Sequence, residues 1–287
     1  MEKPDISIVI PACNEEGAIK SVIEDVQREI KKIKHSFEII VVDDGSTDKT
    51  ASIASKAGAK VVSHPYNKGY GASLKTGAMN SRGNYVLYLD GDGQHYAEDI
   101  EKIVSGIEKY DMIVGARSRQ ASLLRGFGKV MLHALANYLV ERKIPDLNSG
   151  FRLIKRNLIL ERMHMLPNSF SFTTTITLAL IKDGYNVGYV PIRIRNRETG
   201  KSAIHPFRDG FRFTIQILRM TMLFDPLRVL LPVSILLFIA GLPLLISRLI
   251  LYQRTSETAM LFILSSSIVF FFGLIADQIS ILVRRPR

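Results

Sequence analysis

Short apolar runs alternate with longer stretches of helical spacing through the first part of the chain. Ile6–Ala12 is an unbroken apolar strand signal apart from Ser7, and Glu16–Lys34 carries apolar residues at helical intervals. Glu38-Ile-Ile-Val-Val42 predicts a second strand, ending at Asp43-Asp44-Gly45-Ser46. Thr47–Ala57 predicts a helix with Gly58 as its stop, and Ala59-Lys-Val-Val-Ser63 a third strand. Gly71–Ser81 predicts a helix, Tyr85–Leu89 a strand, Tyr96–Lys109 a helix and Asp111–Ala116 a strand. This β-α-β-α order implies an α/β domain with a mostly parallel sheet wrapped by helices. In open sheets of that kind ligands bind beyond the carboxyl ends of the strands, so chemistry is expected in the loops that follow them.

The pattern changes near the carboxyl terminus. Val229–Ser247 and Thr258–Ala276 contain no charged residue, and each run is 19 residues long. A helix of about 20 apolar residues crosses a hydrocarbon core, so two spans are expected, joined by Arg248–Glu257 as a hairpin. Pro232, Gly241 and Pro243 are tolerable inside such helices. Arg208, Arg212, Arg219 and Arg228 precede the hairpin and Arg284, Arg285 and Arg287 follow it, while the connecting loop has only Arg248 and Arg254. The positive-inside rule then puts the large amino-terminal portion and the extreme carboxyl terminus in the cytoplasm. Over residues 206–226, Phe207, Phe211, Phe213, Ile215, Ile217, Leu218, Met222 and Leu223 interleave with Arg208, Arg212 and Arg219. That composition fits an interfacial helix lying on a membrane and fits equally an amphipathic helix packed on the domain. The expected division is a catalytic-type α/β domain at 1–205, the amphipathic helix at 206–226 and the membrane hairpin at 227–287.

Charge sharpens the picture. The net charge is +11, concentrated in the middle of the chain. Arg117, Arg119, Arg125, Lys129, Arg142, Lys143, Arg152, Lys155, Arg156 and Arg162 stand there against only Glu141, Asp146 and Glu161. A basic middle followed by an apolar end suggests an anionic membrane surface and a phosphorylated ligand. Nucleic acid is the other usual partner of such charge, but no nucleic-acid motif accompanies it. Cys13 is the sole cysteine, which excludes an internal disulfide framework and fits a reducing compartment. Met1-Glu-Lys-Pro-Asp5 leads straight into the first strand, so no signal peptide is expected.

The candidate chemistry lies after three strands: Asn14-Glu15, Asp43-Asp44 and Asp90-Gly91-Asp92-Gly93-Gln94-His95. Hard divalent cations take oxygen ligands, and Mg²⁺ or Mn²⁺ is usually held by one or two carboxylates plus substrate phosphates. Glycines beside Asp90 and Asp92 would let phosphate and metal approach the backbone. Tyr66-Asn-Lys-Gly69-Tyr-Gly71-Ala-Ser-Leu-Lys75 is neither a dinucleotide fingerprint nor a phosphate loop: its glycines do not directly follow a strand, and no Gly-Lys-Ser/Thr is present. A helix amino terminus near an anion, assisted by Lys68, is compatible with it.

Taken in order, Pro11-Ala-Cys-Asn14-Glu15, Val41-Val-Asp43-Asp44-Gly45-Ser46-Thr-Asp48, Asn67-Lys-Gly69-Tyr-Gly71 and Asp90-Gly-Asp92-Gly-Gln94-His95 resemble family 2 glycosyltransferases of the GT-A fold. Asp146-Leu-Asn148-Ser149-Gly150-Phe151-Arg152, Gly200-Lys201-Ser202 and the two-span tail resemble its polyprenyl-phosphate branch, which includes dolichol-phosphate mannose synthases and undecaprenyl-phosphate sugar transferases. The resemblance covers nearly the whole chain. It implies that Pro11, Asn14, Glu15, Asp43, Asp44, Lys68 and Gly69 lie at a nucleotide sugar. It places Asp90, Asp92 and Gln94 on the metal of the donor diphosphate. Arg117, Arg125, Ser149 and Arg152, with Lys129 and Lys201, would meet the acceptor phosphate. Asp92, Arg117 and Arg152 would then be the catalytic set.

The implied reaction is an inverting, metal-dependent transfer of a sugar from a nucleotide sugar to a polyprenyl phosphate at the cytoplasmic leaflet. GDP-mannose and UDP-hexoses both fit as donors, and the oligomeric state, a homo-oligomer included, stays open. Many family members that glycosylate hydroxyls carry a carboxylate motif after the acceptor region, whereas Phe170-Ser-Phe-Thr-Thr-Thr-Ile has none. That departure, with only two spans, counts against the alternative of a polysaccharide synthase. The acidic pair and the arginines count against a non-catalytic nucleotide-sugar-binding membrane protein.

Overall fold

The computed structural model describes residues 3–117, 137, 143–195, 219 and 222–284. The chain divides into two compact units, Met1–Asp209 with Pro286–Arg287, and Gly210–Arg285. The expected interfacial helix falls mostly outside the described residues.

The first unit is built on a seven-stranded sheet. Its strands are β1 (Ile6–Ala12), β2 (Phe37–Asp43), β3 (Lys60–Ser63), β4 (Tyr85–Tyr88), β5 (Met112–Arg117), β6 (Arg152–Lys155) and β7 (Val187–Ile192), in the order β3-β2-β1-β4-β6-β5-β7. All neighbours are parallel except β6, which runs antiparallel to both β4 and β5. All seven residues of β1 are buried, as expected of a central strand covered on both faces. Alternation splits the sheet's side chains into two cores. Ile6, Ile8, Ile10, Val41 and Leu87 pack with α1 (Ile19–Ile30) and α4 (Asp99–Val104). Val9, Ile40, Val42, Val86 and Tyr88 pack with α3 (Tyr70–Asn80), α5 (Arg156–Glu161) and α6 (Phe172–Lys182). The short α2 (Thr50–Lys56) follows β2.

Three helices are shorter than the sequence suggests, α2 by beginning only at Thr50 and α1 and α4 at both ends. Residues ahead of α1 turn toward the β2 loop instead: the Glu15 amide donates to Thr50 Oγ1 at 2.8 Å and the Glu16 amide to Asp48 Oδ2 at 3.2 Å. Regular helix in α4 ends at Val104, and a turn over residues 105–109 brings Gly106 so close to β5 that a Cβ there would lie 2.8 Å from Ile113 Cδ1. Strands β6 and β7 and helices α5 and α6 were not anticipated; Phe172–Leu180 of α6 is buried throughout.

The second unit contains α7 (Pro226–Tyr252) and α8 (Glu257–Arg284), both long and apolar enough to cross a membrane. Asp225 caps α7 by accepting from the Arg228 amide, with Pro226 in the first turn. Each helix outruns its charge-free stretch, and the expected loop over 248–257 shrinks to residues 253–256, with Gln253 left-handed at φ 50°. Ser234 and Ser266 donate to each other's carbonyls at 3.1 and 2.9 Å, tying the helices together without an unpaired hydroxyl. Leu236, Leu251, Phe271 and Phe272 are each more than 60% exposed, a surface suited to lipid rather than water.

Candidate active site

Every loop of interest leaves the same edge of the sheet. Strands β1, β2, β4, β5 and β7 end there, and the antiparallel β6 begins there, with Tyr88 opposite Arg152. Chain direction across the sheet reverses between β1 and β4, the kind of switch point at which α/β sheets bind ligands.

On the β1–β2 side the polar residues organise one another. Asn14, left-handed at φ 56°, accepts from the Thr47 amide at 2.8 Å, and its own amide donates to Ser46 Oγ at 2.9 Å. Asp43 Oδ1 accepts from the Ser46 amide. Asp44 is buried and serves as a strut. Its Oδ1 meets His64 Nδ1 at 2.7 Å and the Lys68 amide at 2.8 Å, while Oδ2 accepts from the Gly69 amide at 2.9 Å. The other ring nitrogen of His64 meets Thr76 Oγ1 at 2.9 Å, which links β3 to α3. Gly45 sits at φ 69° with its Cβ position 2.6 Å from the Tyr66 backbone, so only glycine fits. The exposed Lys68 ammonium lies 5.7 Å from the Tyr66 ring centre.

The β4 loop carries the two carboxylates. Asp90 Oδ1 accepts from the Tyr70 hydroxyl at 2.8 Å, and Oδ2 lies 3.2 Å from His95 Nε2. A Cβ on Gly150 would overlap the Asp90 carboxylate, so the backbone at the start of β6 lies flat against it. Burial pushes the Asp90 pKa up; the His95 and Tyr70 contacts and the Arg152 charge outweigh it, and the net shift is downward, keeping the group ionised. Asp92 Oδ1 accepts from the Gln94 amide at 3.1 Å around a left-handed Gly93. The Gln94 carbonyl in turn accepts from the Arg195 amide at 2.9 Å, which pins this turn to the chain beyond β7. Among the described residues no group of three or more His, Cys, Asp and Glu forms a self-sufficient metal cage. Two carboxylates on one glycine-rich turn, with an amide side chain beside them, nevertheless match the oxygen-donor set of a Mg²⁺ or Mn²⁺ completed by phosphate.

Opposite Asp90 stands the loop 146–150. Arg117, at the end of β5, grips Asp146 with a two-pronged contact: Nε to Oδ2 at 2.6 Å and Nη2 to Oδ1 at 2.9 Å. This pairing raises the Arg117 pKa; burial pushes Asp146 up, but Arg117 more than cancels that and holds it below the usual range. Ser149 is fully buried, and its Oγ has no hydrogen-bond partner among the described residues. Arg152 is fully buried too. Nε donates to the Ser149 carbonyl, Nη1 to the Thr173 carbonyl and Thr177 Oγ1, and Nη2 to the Leu147 and Ser149 carbonyls.

Residues 7–162 match the family model "Glycosyl transferase family 2", more than half of the chain. The chain belongs to glycosyl transferase family 2. Residues 225–282 of this glycosyltransferase match a second model, "GtrB C-terminal hairpin". A dolichyl-phosphate beta-glucosyltransferase of Dictyostelium discoideum is 26% identical, covering 75% of this chain and 73% of the relative. An undecaprenyl-phosphate 4-deoxy-4-formamido-L-arabinose transferase of Pseudomonas fluorescens is 30% identical over 71% of this chain and 61% of its own length. Among solved structures, glucosyl-3-phosphoglycerate synthase of Mycobacterium tuberculosis, bound to Mn²⁺, UDP and glucosyl-3-phosphoglycerate, superposes with a TM-score of 0.59 at 21% identity, over 76% of this chain and 79% of that one. The fold is therefore of the GT-A type.

The glycosyltransferase gathers the expected donor and metal residues Pro11, Asn14, Glu15, Asp43, Asp44, Lys68, Gly69, Asp90, Asp92 and Gln94 at one sheet edge, with Arg117 and Ser149 at the same edge. Arg152 departs from its expected place. A guanidinium has five N–H donors, and all five are used on protein oxygens, so none is left for an acceptor phosphate. It braces the loop instead of facing a ligand. Arg125, Lys129 and Lys201 lie outside the described residues. The sequence reading passed over Tyr70 and His64. Tyr70 was embedded in a motif read for its glycines, and His64 marks the end of β3 at the active edge, the one signal that would have singled it out.

Proposed function

We propose that this glycosyltransferase moves a sugar from a nucleotide sugar to a polyprenyl phosphate in one inverting displacement, aided by Mg²⁺ or Mn²⁺. The observation that carries this reading is the Asp90–Asp92 turn set across one sheet edge from Arg117 and Ser149. The names of the dolichyl- and undecaprenyl-phosphate transferase relatives support the acceptor class. Asn14, Glu15, Asp43 and the strut at Asp44 frame the nucleotide, and Asp90, Asp92 and Gln94 hold the metal at its diphosphate. When bound, the metal offsets negative charge growing on the leaving nucleoside diphosphate.

The acceptor needs positioning more than activation. A phosphate monoester has a second pKa of about 6, so its oxygen is already anionic near neutrality. That oxygen forms the new bond to the anomeric carbon, the bond to the diphosphate breaks, and its electron pair leaves with the nucleotide. No proton must be removed, which accords with the lack of a carboxylate in Phe170–Ile176. Among the described residues Arg117 Nη1 has no hydrogen-bond partner beyond the Asp146 contact, and the side chain is partly exposed, so it can meet an acceptor oxygen while Asp146 fixes its plane. The buried Ser149 hydroxyl, without a hydrogen-bond partner among the described residues, is a second donor on the same loop as Asp146.

Incubation with a labelled nucleotide sugar and a short polyprenyl phosphate should send label into organic solvent as a lipid of one added sugar. Label retained in a polymer, or no transfer with any donor, would refute the reading. On this reading the apolar hairpin is a membrane anchor, and the arginines flanking it support an orientation with both termini cytoplasmic. Reporters fused ahead of Met1 and after Arg287 should read cytoplasmic, and one inserted at Thr255 external; an external carboxyl terminus would overturn this orientation.

A further inference from the structure

Asp90 is held on three sides, and two of the supports belong to residues with no role in the reading above. The Tyr70 hydroxyl donates to Oδ1 at 2.8 Å, His95 Nε2 faces Oδ2 at 3.2 Å, and the Gly150 backbone closes one face. Facing a carboxylate makes Nε2 the nitrogen that donates to Asp90; Nδ1 is buried without a hydrogen-bond partner among the described residues, and the ring lies 5.2 Å from that of Phe151. Tyr70 opens α3, and its ring is stacked on Phe170 at 5.0 Å between centres and 16° between planes. Phe170 is 77% exposed, so the Tyr70 ring is its cover on one face. The same loop latches onto α3 a second time: the Asn168 carbonyl accepts from the Gly71 amide at 2.9 Å, and Asn168 Oδ1 accepts from Lys75 Nζ at 2.8 Å. Gly69 and Gly71 allow this approach, since a Cβ at either would run into the backbone at 167–169.

We propose that Tyr70 is a positioning residue that fixes the Asp90 carboxylate for metal binding, and that Phe170 acts through it, coupling the loop 167–171 to the donor site. The physical basis is that a carboxylate free to rotate must be ordered when the cation arrives, whereas one already hydrogen-bonded on both oxygens is not. Removing such a support typically lowers metal affinity about 10- to 100-fold. The proposal rests on the metal reading above.

The test is Mn²⁺ binding in the presence of UDP or, in a parallel series, GDP, followed by the loss of the free-ion paramagnetic resonance signal, on the full-length protein in detergent. Tyr70→Phe keeps the ring stacked on Phe170 and removes only the hydroxyl. It should weaken Mn²⁺ binding about tenfold or more with the melting temperature unchanged. Phe170→Ala, at an exposed position, should weaken it about threefold, and Phe170→Ala combined with Tyr70→Phe should bind no worse than Tyr70→Phe alone. Wild-type affinity in Tyr70→Phe overturns the proposal, as does a fall in melting temperature that parallels the loss of affinity. Fully additive losses in the double variant overturn the coupling through Phe170. If the wild type takes up no Mn²⁺ with either UDP or GDP, the metal reading fails and this proposal with it; intact wild-type binding with an unaffected Tyr70→Phe sinks the proposal alone.

Discussion

Arg152→Ala should destabilise the catalytic unit by about 4 kcal/mol, enough to leave a marginal domain partly unfolded at growth temperature. The magnitude follows from what the guanidinium holds. It donates to the carbonyls of Leu147, Ser149 and Thr173 and to Thr177 Oγ1, all inside the protein. Alanine removes every one of these donors from a buried site; hydrogen bonds to a charged group are worth roughly 1.5–3 kcal/mol each, and the cost of keeping a buried guanidinium out of water, which alanine does not incur, offsets part of their sum. The cavity left by a side chain that is 0% exposed adds to the loss. Burial depresses the Arg152 pKa, while Tyr70, Asp146, Tyr189 and Asp90 act the other way. Lysine should rescue little, because three donors on a flexible stem cannot replace five in a plane. Urea unfolding followed by circular dichroism, together with nucleotide binding at low temperature, checks this. Loss of transfer with full stability and unchanged nucleotide binding would return Arg152 to the acceptor phosphate and overturn its place as a brace.

That reassignment shows where the sequence stops being informative. Strands β1, β2 and β4 are legible because each is an apolar run that ends abruptly in Asn or Asp, and β1 was bounded correctly at Ile6 and Ala12. The three acidic or amide loops follow from those strands alone. Strand β6 is not legible: Arg152-Leu-Ile-Lys155 has two apolar residues between two cations, which reads as surface. Nor is the role of Arg152, because its acceptors are mostly backbone carbonyls, and a carbonyl leaves no trace in residue type. Asp44 was equally hidden. A carboxylate that accepts from His64 and two amides looks, in sequence, like one waiting for a ligand. Tyr70 reaches Asp90 only because α3 starts where the loop at 167–170 packs onto it, a contact between segments nearly a hundred residues apart. The two long apolar helices were visible from hydropathy, but their ends were not, since Arg248 continues the helix and lies 5.2 Å from the Tyr252 ring instead of breaking into a loop.

The largest effect on turnover is expected from Asp92→Asn, which should lower transfer by roughly a thousandfold or more while the fold melts as before. Asp92 differs from Asp90 in how little of it the protein uses. Its Oδ1 accepts from the Gln94 amide, a contact that an asparagine carbonyl reproduces, and its second oxygen accepts no hydrogen bond among the described residues. That oxygen is free for a cation, and the substitution removes its charge with almost no change in shape. A neutral amide is a poor ligand for a hard divalent ion, so the charge growing on the leaving diphosphate goes uncompensated. Asp90→Asn should be as severe for turnover but should also lower stability, because its carboxylate receives Tyr70 and His95 and an amide cannot accept on both sides. Chelation should silence the wild type and added Mg²⁺ or Mn²⁺ should restore it. Two measurements decide the matter, product extraction over a metal titration and thermal melting of each variant. Undiminished transfer by Asp92→Asn, or by the wild type in excess chelator, would remove the metal from the mechanism.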